Sequence, residues 1–131
     1  MPGKGTILII EDDHFLSSLL KARLEKEGFV VYCSADGEEG LKLVREVSPN
    51  LVLMDLILPK MSGFEVLEAI SIDPQFNRIP VIVLTNLAQE SDVEKTKSLG
   101  AVDYFVKVKI SIDEIVEKIE DVMTSQSASA Q

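Results

Sequence analysis

The sequence has only one cysteine and no long uninterrupted run of apolar residues. Because Cys33 has no partner for an internal disulfide, a reducing compartment is expected, and we predict a cytoplasmic protein. We expect Cys33 itself to pack within a short apolar strand. No stretch reaches the roughly eighteen consecutive apolar residues of a membrane span. The N-terminus also lacks the apolar segment of a secretory signal peptide, which argues against secretion.

Basic side chains are in the minority: 13 lysines and arginines stand against 22 aspartates and glutamates, a net charge of −9. Direct binding to nucleic acid is not expected, because it depends on a basic footprint. Binding to anionic membranes is disfavoured for the same reason, whereas basic protein partners remain compatible with this charge. The length of 131 residues, 46% of them apolar, fits a single domain with one core.

Short apolar runs alternate with segments of helical period along most of the chain. This order is typical of βαβ units and of a parallel sheet with helices on both faces. A Ser or Asp followed three positions later by Glu predicts helix starts at Asp36, Ser62 and Ser111. The helix expected over 90–99 is polar nearly throughout, and we predict it to be the most mobile element.

The C-terminal helix carries a wide apolar stripe made of Ile112, Ile115, Val116, Ile119, Val122 and Met123. We expect this stripe to pack on the sheet, with a share facing a partner as the alternative. Residues 124–131 are small and polar, and we predict a disordered tail there. Residues 1–4 are interpreted as an N-terminal extension.

Polar side chains follow or end four of the apolar runs. If these runs are parallel strands, their carboxyl ends share the edge of the sheet where ligands bind in open α/β folds. Three carboxylates, a hydroxyl and an ammonium would converge there, a combination that suits a divalent cation and a phosphoryl group. The residues concerned are Glu11, Asp12, Asp55, Thr85 and Lys107.

Magnesium prefers oxygen ligands and keeps several waters, so a few carboxylates suffice to bind it. Asp12 and Asp55 could bind directly and Glu11 through water. Taken alone, Glu11-Asp12-Asp13 is also explained as an acidic helix start favoured by the helix dipole. A purely structural role fits Asp55 less well, because an ionised group in an apolar stretch needs a partner such as Lys107. A carboxylate beside a metal can act as a nucleophile and form an aspartyl-phosphate.

Four segments together resemble the receiver domain of bacterial two-component response regulators. The resemblance covers about residues 5–123 and rests on the order and spacing of these segments. They are Ile-Leu-Ile-Ile-Glu-Asp-Asp at 7–13, Asp-Leu-Ile-Leu-Pro-Lys-Met-Ser-Gly at 55–63, Pro-Val-Ile-Val-Leu-Thr at 80–85 and Gly-Ala-Val-Asp-Tyr-Phe-Val-Lys at 100–107. The resemblance implies an α/β fold of the flavodoxin-like (βα)5 type, with a five-stranded parallel sheet in the order 2-1-3-4-5.

The resemblance also implies a phosphorylation-dependent signalling switch. Asp55 would accept a phosphoryl group from a phosphohistidine on a sensor histidine kinase or a histidine phosphotransfer protein. Asp12 and the backbone carbonyl of Ile57 would bind Mg²⁺ together with Asp55, and Glu11 would bind it through water. The chain would thus catalyse its own phosphorylation and dephosphorylation without being a conventional turnover enzyme.

Three further residues receive roles from the same resemblance. Thr85 and Lys107 would hold the phosphoryl oxygens, and Tyr104 would rotate inward as Thr85 moves. This change would alter the face formed by the fourth helix, the fifth strand and the fifth helix, where a downstream protein would bind.

Two positions depart from the family pattern. Val108 stands where the family usually has proline, often after a cis bond. Because a cis bond before another residue costs about 2.5–4 kcal/mol, we predict a trans or visibly strained Lys107–Val108 bond. Asn86 follows Thr85 where small residues are common, and with Ile57 it could slow attack of water on the aspartyl-phosphate.

Two other functions remain as alternatives. A degenerate receiver could act only as a protein-binding module, an interpretation that Val108 alone supports. A flavin-binding or hydrolytic enzyme on the same fold needs a phosphate-cradling loop or a different aspartate spacing, and Glu11-Asp12-Asp13 provides neither. The sequence also leaves open whether the domain acts alone or as part of a larger regulator.

Overall fold

The computed structural model describes the backbone of residues 3–129 and the side chains of residues 3–126. Five parallel strands form one sheet in the order β2-β1-β3-β4-β5, as predicted. The strands are β1 (Thr6–Ile10), β2 (Val30–Ser34), β3 (Leu51–Met54), β4 (Val81–Thr85) and β5 (Asp103–Val106). The helices are α1 (His14–Lys26), α2 (Gly37–Val47), α3 (Gly63–Ser71), α4 (Glu90–Ser98) and α5 (Ile112–Ser129), with a 3₁₀ turn at Lys107–Lys109.

Alternate residues of the central strands enter two separate hydrophobic clusters, one on each face of the sheet. One cluster joins residues such as Ile9 and Leu53 to buried side chains of α1 and α5. The other joins residues such as Leu8 and Val52 to buried side chains of α2 and α3. Since both faces are covered, the central strands β1, β3 and β4 are almost entirely apolar, which confirms the sandwich architecture.

The helix starts follow the side chains that were expected to cap them. Ser62 and Ser111 each form a complete capping box with the glutamate three residues on. Asp36 accepts a hydrogen bond from the backbone N–H of Glu39. α4 is present, but its N-cap residue Gln89 makes no side-chain capping hydrogen bond, and Thr96 is its one buried residue. Its predicted mobility stays a prediction.

The apolar stripe of α5 packs on the sheet. Ile115, Val116 and Ile119 are buried, and the remaining members of the stripe pack partly buried against the same cluster. This packing confirms the simpler of the two interpretations of the stripe. No helix in the part of the chain that the structure describes is long and apolar enough to cross a membrane.

Two predictions are corrected. Cys33 is exposed, because β2 is an edge strand with one neighbour, and its side chains are covered less than those of the central strands. The tail predicted over 124–131 is helical through Ser129. An established helix adds one hydrogen bond for each residue it orders, and residues 124–129 contain no Gly or Pro to stop it. Residues 1–2 and 130–131 of the two predicted terminal segments lie outside the described residues.

Candidate functional site

The five strand-end residues predicted from the sequence lie together at one edge of the sheet. Glu11 and Asp12 follow β1, Asp55 follows β3, Thr85 is the last residue of β4, and Lys107 follows β5. The parallel register pairs Ile10 with Met54, Met54 with Val83 and Thr85 with Val106. β1 and β3 therefore end level with each other, and β4 and β5 end level two residues further on. The side chains at the ends therefore face a common space.

Three carboxylates form a cluster at this edge. Glu11, Asp12 and Asp55 each offer an oxygen within 4.8 Å of the others. Glu11 and Asp55 are buried, at 3% and 5% exposure, whereas Asp12 is exposed to solvent. The cluster thus has a closed inner side and one open side through which a ligand can enter.

Lys107 places its ammonium between the two buried carboxylates. Its Nζ lies 2.7 Å from Oδ2 of Asp55 and 2.8 Å from Oε1 of Glu11. The 3₁₀ turn that begins at Lys107 directs the side chain back over the strand ends. The partner that a buried Asp55 requires is therefore present.

The pKa values of Glu11 and Lys107 are both raised, each by a different cause. Burial raises the pKa of Glu11 above its usual value, and the hydrogen bonds from Lys107 and from the N–H of Asp13 offset this only in part. Burial alone would lower the pKa of Lys107, but its hydrogen bonds to Asp55 and Glu11 outweigh it and raise that pKa. The cluster has three carboxylates and one lysine ammonium, an excess of acidic groups that suits a cation.

The acidic cluster fits a hard divalent cation. Its ligand atoms are carboxylate oxygens at close range, which are the ligands that Mg²⁺ prefers. The residues that could hold the ion are Glu11, Asp12 and Asp55. The role of the Ile57 backbone carbonyl as a Mg²⁺ ligand stays a prediction.

The Asp55 carboxylate is oriented by its own loop. Its Oδ1 accepts hydrogen bonds from the backbone N–H groups of Leu56, at 2.6 Å, and Ile57, at 3.2 Å. Its Oδ2 is bound by Lys107. With both oxygens held, the carboxylate has a fixed direction relative to the carboxylates of Glu11 and Asp12.

Thr85 and Tyr104 are connected through the loop after β4. Thr85 is fully buried, and its Oγ1 accepts a long hydrogen bond, 3.4 Å, from the N–H of Leu87. The Tyr104 hydroxyl donates to the carbonyl oxygen of Leu87 at 2.7 Å. Sequence reasoning missed Leu87, because a backbone carbonyl leaves no trace in residue type.

The positions that depart from the family pattern are found at the rim. The structure has no cis peptide bond among residues 3–129, so the Lys107–Val108 bond is trans, as predicted. Val108 is 80% exposed, and Lys107 still reaches both carboxylates. Asn86 and Ile57 are exposed as well, and their effect on the attack of water stays a prediction.

Neighbouring polar residues take structural roles. Asp13 caps α1 by accepting a hydrogen bond from the N–H of Leu16. His14 and Lys109 are exposed. None of these three belongs to the acidic cluster.

A doubly wound parallel sheet with an acidic cluster and a lysine at its carboxyl edge defines the class of receiver domains. The chain matches the response regulator receiver domain family over residues 7–120. It belongs to this family.

Similar proteins agree with this assignment. The chain is 37% identical, over 92% of its length, to probable transcriptional regulator ycf27 of Porphyridium aerugineum, of which it covers 48%. A response regulator crystallised in its Mn²⁺-bound form is 33% identical, with a TM-score of 0.79 over 88% of this chain and 91% of that one. The phosphorylated cyanobacterial phytochrome response regulator RcpA is 31% identical, with a TM-score of 0.81 over 93% of this chain and 95% of that one.

The chain spans less than half the length of several transcriptional regulators that it matches. What the receiver family shows for this chain is a domain of two-component signalling.

Proposed function

We propose that the domain is a signalling switch that accepts a phosphoryl group on Asp55 from a partner phosphohistidine. The observation that carries this proposal is the placement of Asp55, buried at a strand end, with Oδ2 at 2.7 Å from Lys107 and metal-binding carboxylates beside it. A fixed, partly desolvated carboxylate flanked by a cation site has the features of an aspartyl nucleophile.

In the reaction, a carboxylate oxygen of Asp55 forms a bond to phosphorus as the phosphorus–nitrogen bond of the donor histidine breaks. The released histidine nitrogen keeps the electron pair and takes up a proton. Bound Mg²⁺ would withdraw charge from the phosphoryl oxygens. Positioning and electrostatic stabilisation dominate such transfers, and the backbone N–H groups of Leu56 and Ile57 supply the positioning.

After transfer, Lys107 and Thr85 would hold the phosphoryl oxygens. The Lys107 ammonium would exchange its contact with the Asp55 carboxylate for one with phosphate. Movement of Thr85 would disturb the loop at Leu87, to which Tyr104 donates its hydroxyl. A downstream protein would detect the change on the face formed by α4, β5 and α5, which Tyr104 borders.

Phosphorylation by a small donor tests this function. The protein is incubated with acetyl phosphate and Mg²⁺, and intact mass is measured. The proposal expects a gain of one phosphoryl group that is absent in Asp55→Ala and retained in Asp121→Ala, which removes an exposed carboxylate on α5. No gain with acetyl phosphate, nor with a phosphorylated histidine kinase or phosphotransfer protein, would favour the alternative of a protein-binding module.

A further inference from the structure

We infer that Gly37, the first residue of α2, is a positioning residue for Asp55 and acts through the loop that follows β3. We call residues 55–62 the acceptor loop. The inference rests on the proposed function, because the reaction there depends on the direction of the Asp55 carboxylate.

Gly37 makes close contact with the acceptor loop. Its N–H donates to the carbonyl oxygen of Pro59 at 3.2 Å. The first N–H groups of a helix have no partner within the helix, and here the loop supplies one. A Cβ atom at Gly37 would overlap the carbonyl oxygen of Met61. α2 therefore begins directly against the loop, at a distance that only glycine allows.

The loop at this contact has an unusual backbone. Lys60 has φ of 68°, a backbone conformation that residues other than Gly and Asn adopt rarely. The N–H of Met61 donates back to the Pro59 carbonyl at 2.7 Å. Pro59 thus accepts two hydrogen bonds, one from each side of the contact. Such a backbone persists only where its surroundings hold it, and α2 provides that support.

The opposite end of the loop is fixed in a similar way. The N–H of Gly63 donates to the carbonyl of Leu56 at 2.9 Å, and a Cβ atom at Gly63 would overlap the carbonyl oxygen of Asp55. Between these two anchors, the N–H groups of Leu56 and Ile57 bind Oδ1 of Asp55. A shift at Pro59 therefore reaches the Asp55 carboxylate through Ile57, two residues away.

Alanine substitution separates this role from ordinary helix stability. Because alanine favours helix over glycine, a purely local role for Gly37 predicts that Gly37→Ala leaves the acceptor loop unchanged. The positioning role predicts that the methyl group displaces Met61 and Pro59. The matched control is Glu38→Ala, which puts alanine at the next position of the same turn, where the side chain is exposed.

The test measures the backbone amide shifts of Leu56 and Ile57 by NMR in metal-free protein, and then the dissociation constant for Mg²⁺. We expect Gly37→Ala to move both amide signals and to weaken Mg²⁺ binding by about tenfold or more, as for other supports of metal ligands. Glu38→Ala should change neither. Unmoved Leu56 and Ile57 signals in Gly37→Ala, or equal movement in Glu38→Ala, would overturn the inference.

The double variant Gly37→Ala/Lys60→Gly keeps the test decisive if Gly37→Ala fails to fold. Glycine tolerates φ of 68° and nearby values. The turn at residue 60 should therefore absorb the displacement of Met61 and Pro59 before it reaches Ile57. We expect the double variant to fold and to restore the wild-type amide signals. An unfolded double variant, or one with signals displaced as in the single variant, would contradict the inference. If wild-type protein neither binds Mg²⁺ nor gains a phosphoryl group, the proposed function fails, while the amide signals still decide the role of Gly37.

Discussion

The ammonium of Lys107 lies 2.7 Å from Oδ2 of Asp55, although the two residues follow strands that are not neighbours. β4 lies between β3 and β5, so the lysine and aspartate side chains together bridge two strand spacings, about 10 Å. The lysine side chain passes the end of β4, where Thr85 is buried. Its Nζ also lies 2.8 Å from Oε1 of Glu11, so one side chain links the ends of three strands, β5, β3 and β1.

Removal of this ammonium should destabilise the metal-free fold. Lys107→Ala leaves buried carboxylates of Glu11 and Asp55 without their cation, and we expect a loss of roughly 1–3 kcal/mol in the free energy of unfolding at neutral pH. Mg²⁺ should restore more stability to this variant than to wild type. Urea denaturation with and without Mg²⁺ measures both effects.

Lys109→Ala is the matched control for this prediction. Lys109 lies in the same 3₁₀ turn but is exposed, and surface charges contribute little to stability. The Lys109→Ala variant should therefore have the same urea midpoint of unfolding as wild type. Equal destabilisation by the two substitutions would show that the turn, and not the ion pair, carries the effect.

The strand-end residues could be predicted because apolar runs and the polar residue after each are properties of the sequence. Because parallel strands end at the same edge of a sheet, Glu11, Asp55 and Lys107 could be assigned to one site from the sequence, before any contact between them was known. The role of the Leu87 carbonyl and the support of Pro59 by Gly37 could not be predicted in this way. Both depend on backbone groups and on distances between elements that are far apart in the chain.

The C-terminal part of α5 and the exposure of Cys33 were predicted wrongly for a related reason. Composition reflects the intrinsic conformational preference of each residue type. A helix that already packs on the sheet, in contrast, extends through residues with modest helix propensity. Cys33 has the residue type of a buried position, but its strand lies at the edge of the sheet. Position in the sheet overrides residue type in this case.

Loss of the Tyr104 hydroxyl should loosen the loop between β4 and α4. Tyr104→Phe removes the hydrogen bond to the Leu87 carbonyl, and α4 has no side-chain cap that could compensate. We expect faster hydrogen exchange at the start of α4 and a loss of about 0.5–1.5 kcal/mol in stability. Hydrogen exchange followed by mass spectrometry measures the first and chemical denaturation the second.

The other tyrosine provides the comparison. Tyr32 is exposed on the edge strand β2, so Tyr32→Phe should leave exchange in α4 at the wild-type rate. If Tyr104→Phe also leaves it unchanged, the hydroxyl does not hold the loop. The proposed coupling between Thr85 and Tyr104 would then lose its structural basis.

The lifetime of the aspartyl-phosphate should depend on Asn86. Its side chain is exposed directly after Thr85, and with the exposed side chain of Ile57 it can narrow the path of water to Asp55. We expect Asn86→Ala to shorten the half-life, measured as loss of the phosphoryl mass after the donor is removed. Gln89→Ala, an exposed change further along the same loop, should leave the half-life as in wild type. An unchanged half-life in Asn86→Ala would exclude this role.

Mg²⁺ affinity should fall on mild acidification because of Glu11. Burial raises the pKa of its carboxyl above the ordinary value of 4.5, so the proton competes with the metal at a pH higher than for an exposed glutamate. The same shift means that ionised Glu11 lowers the stability of the metal-free fold. Between pH 4.5 and the raised pKa, the folded state binds more protons than the unfolded one, and its stability therefore falls as pH rises.

Glu11→Gln removes this titration and should raise the melting temperature of the metal-free protein at neutral pH. It should also weaken Mg²⁺ binding by about tenfold and flatten the pH dependence of the dissociation constant. Asp13→Asn removes a nearby exposed charge yet keeps a side chain that caps α1 equally well, so the pH dependence should persist in that variant. A Glu11→Gln protein with the full pH dependence of wild type would assign the competing proton to another carboxylate of the cluster.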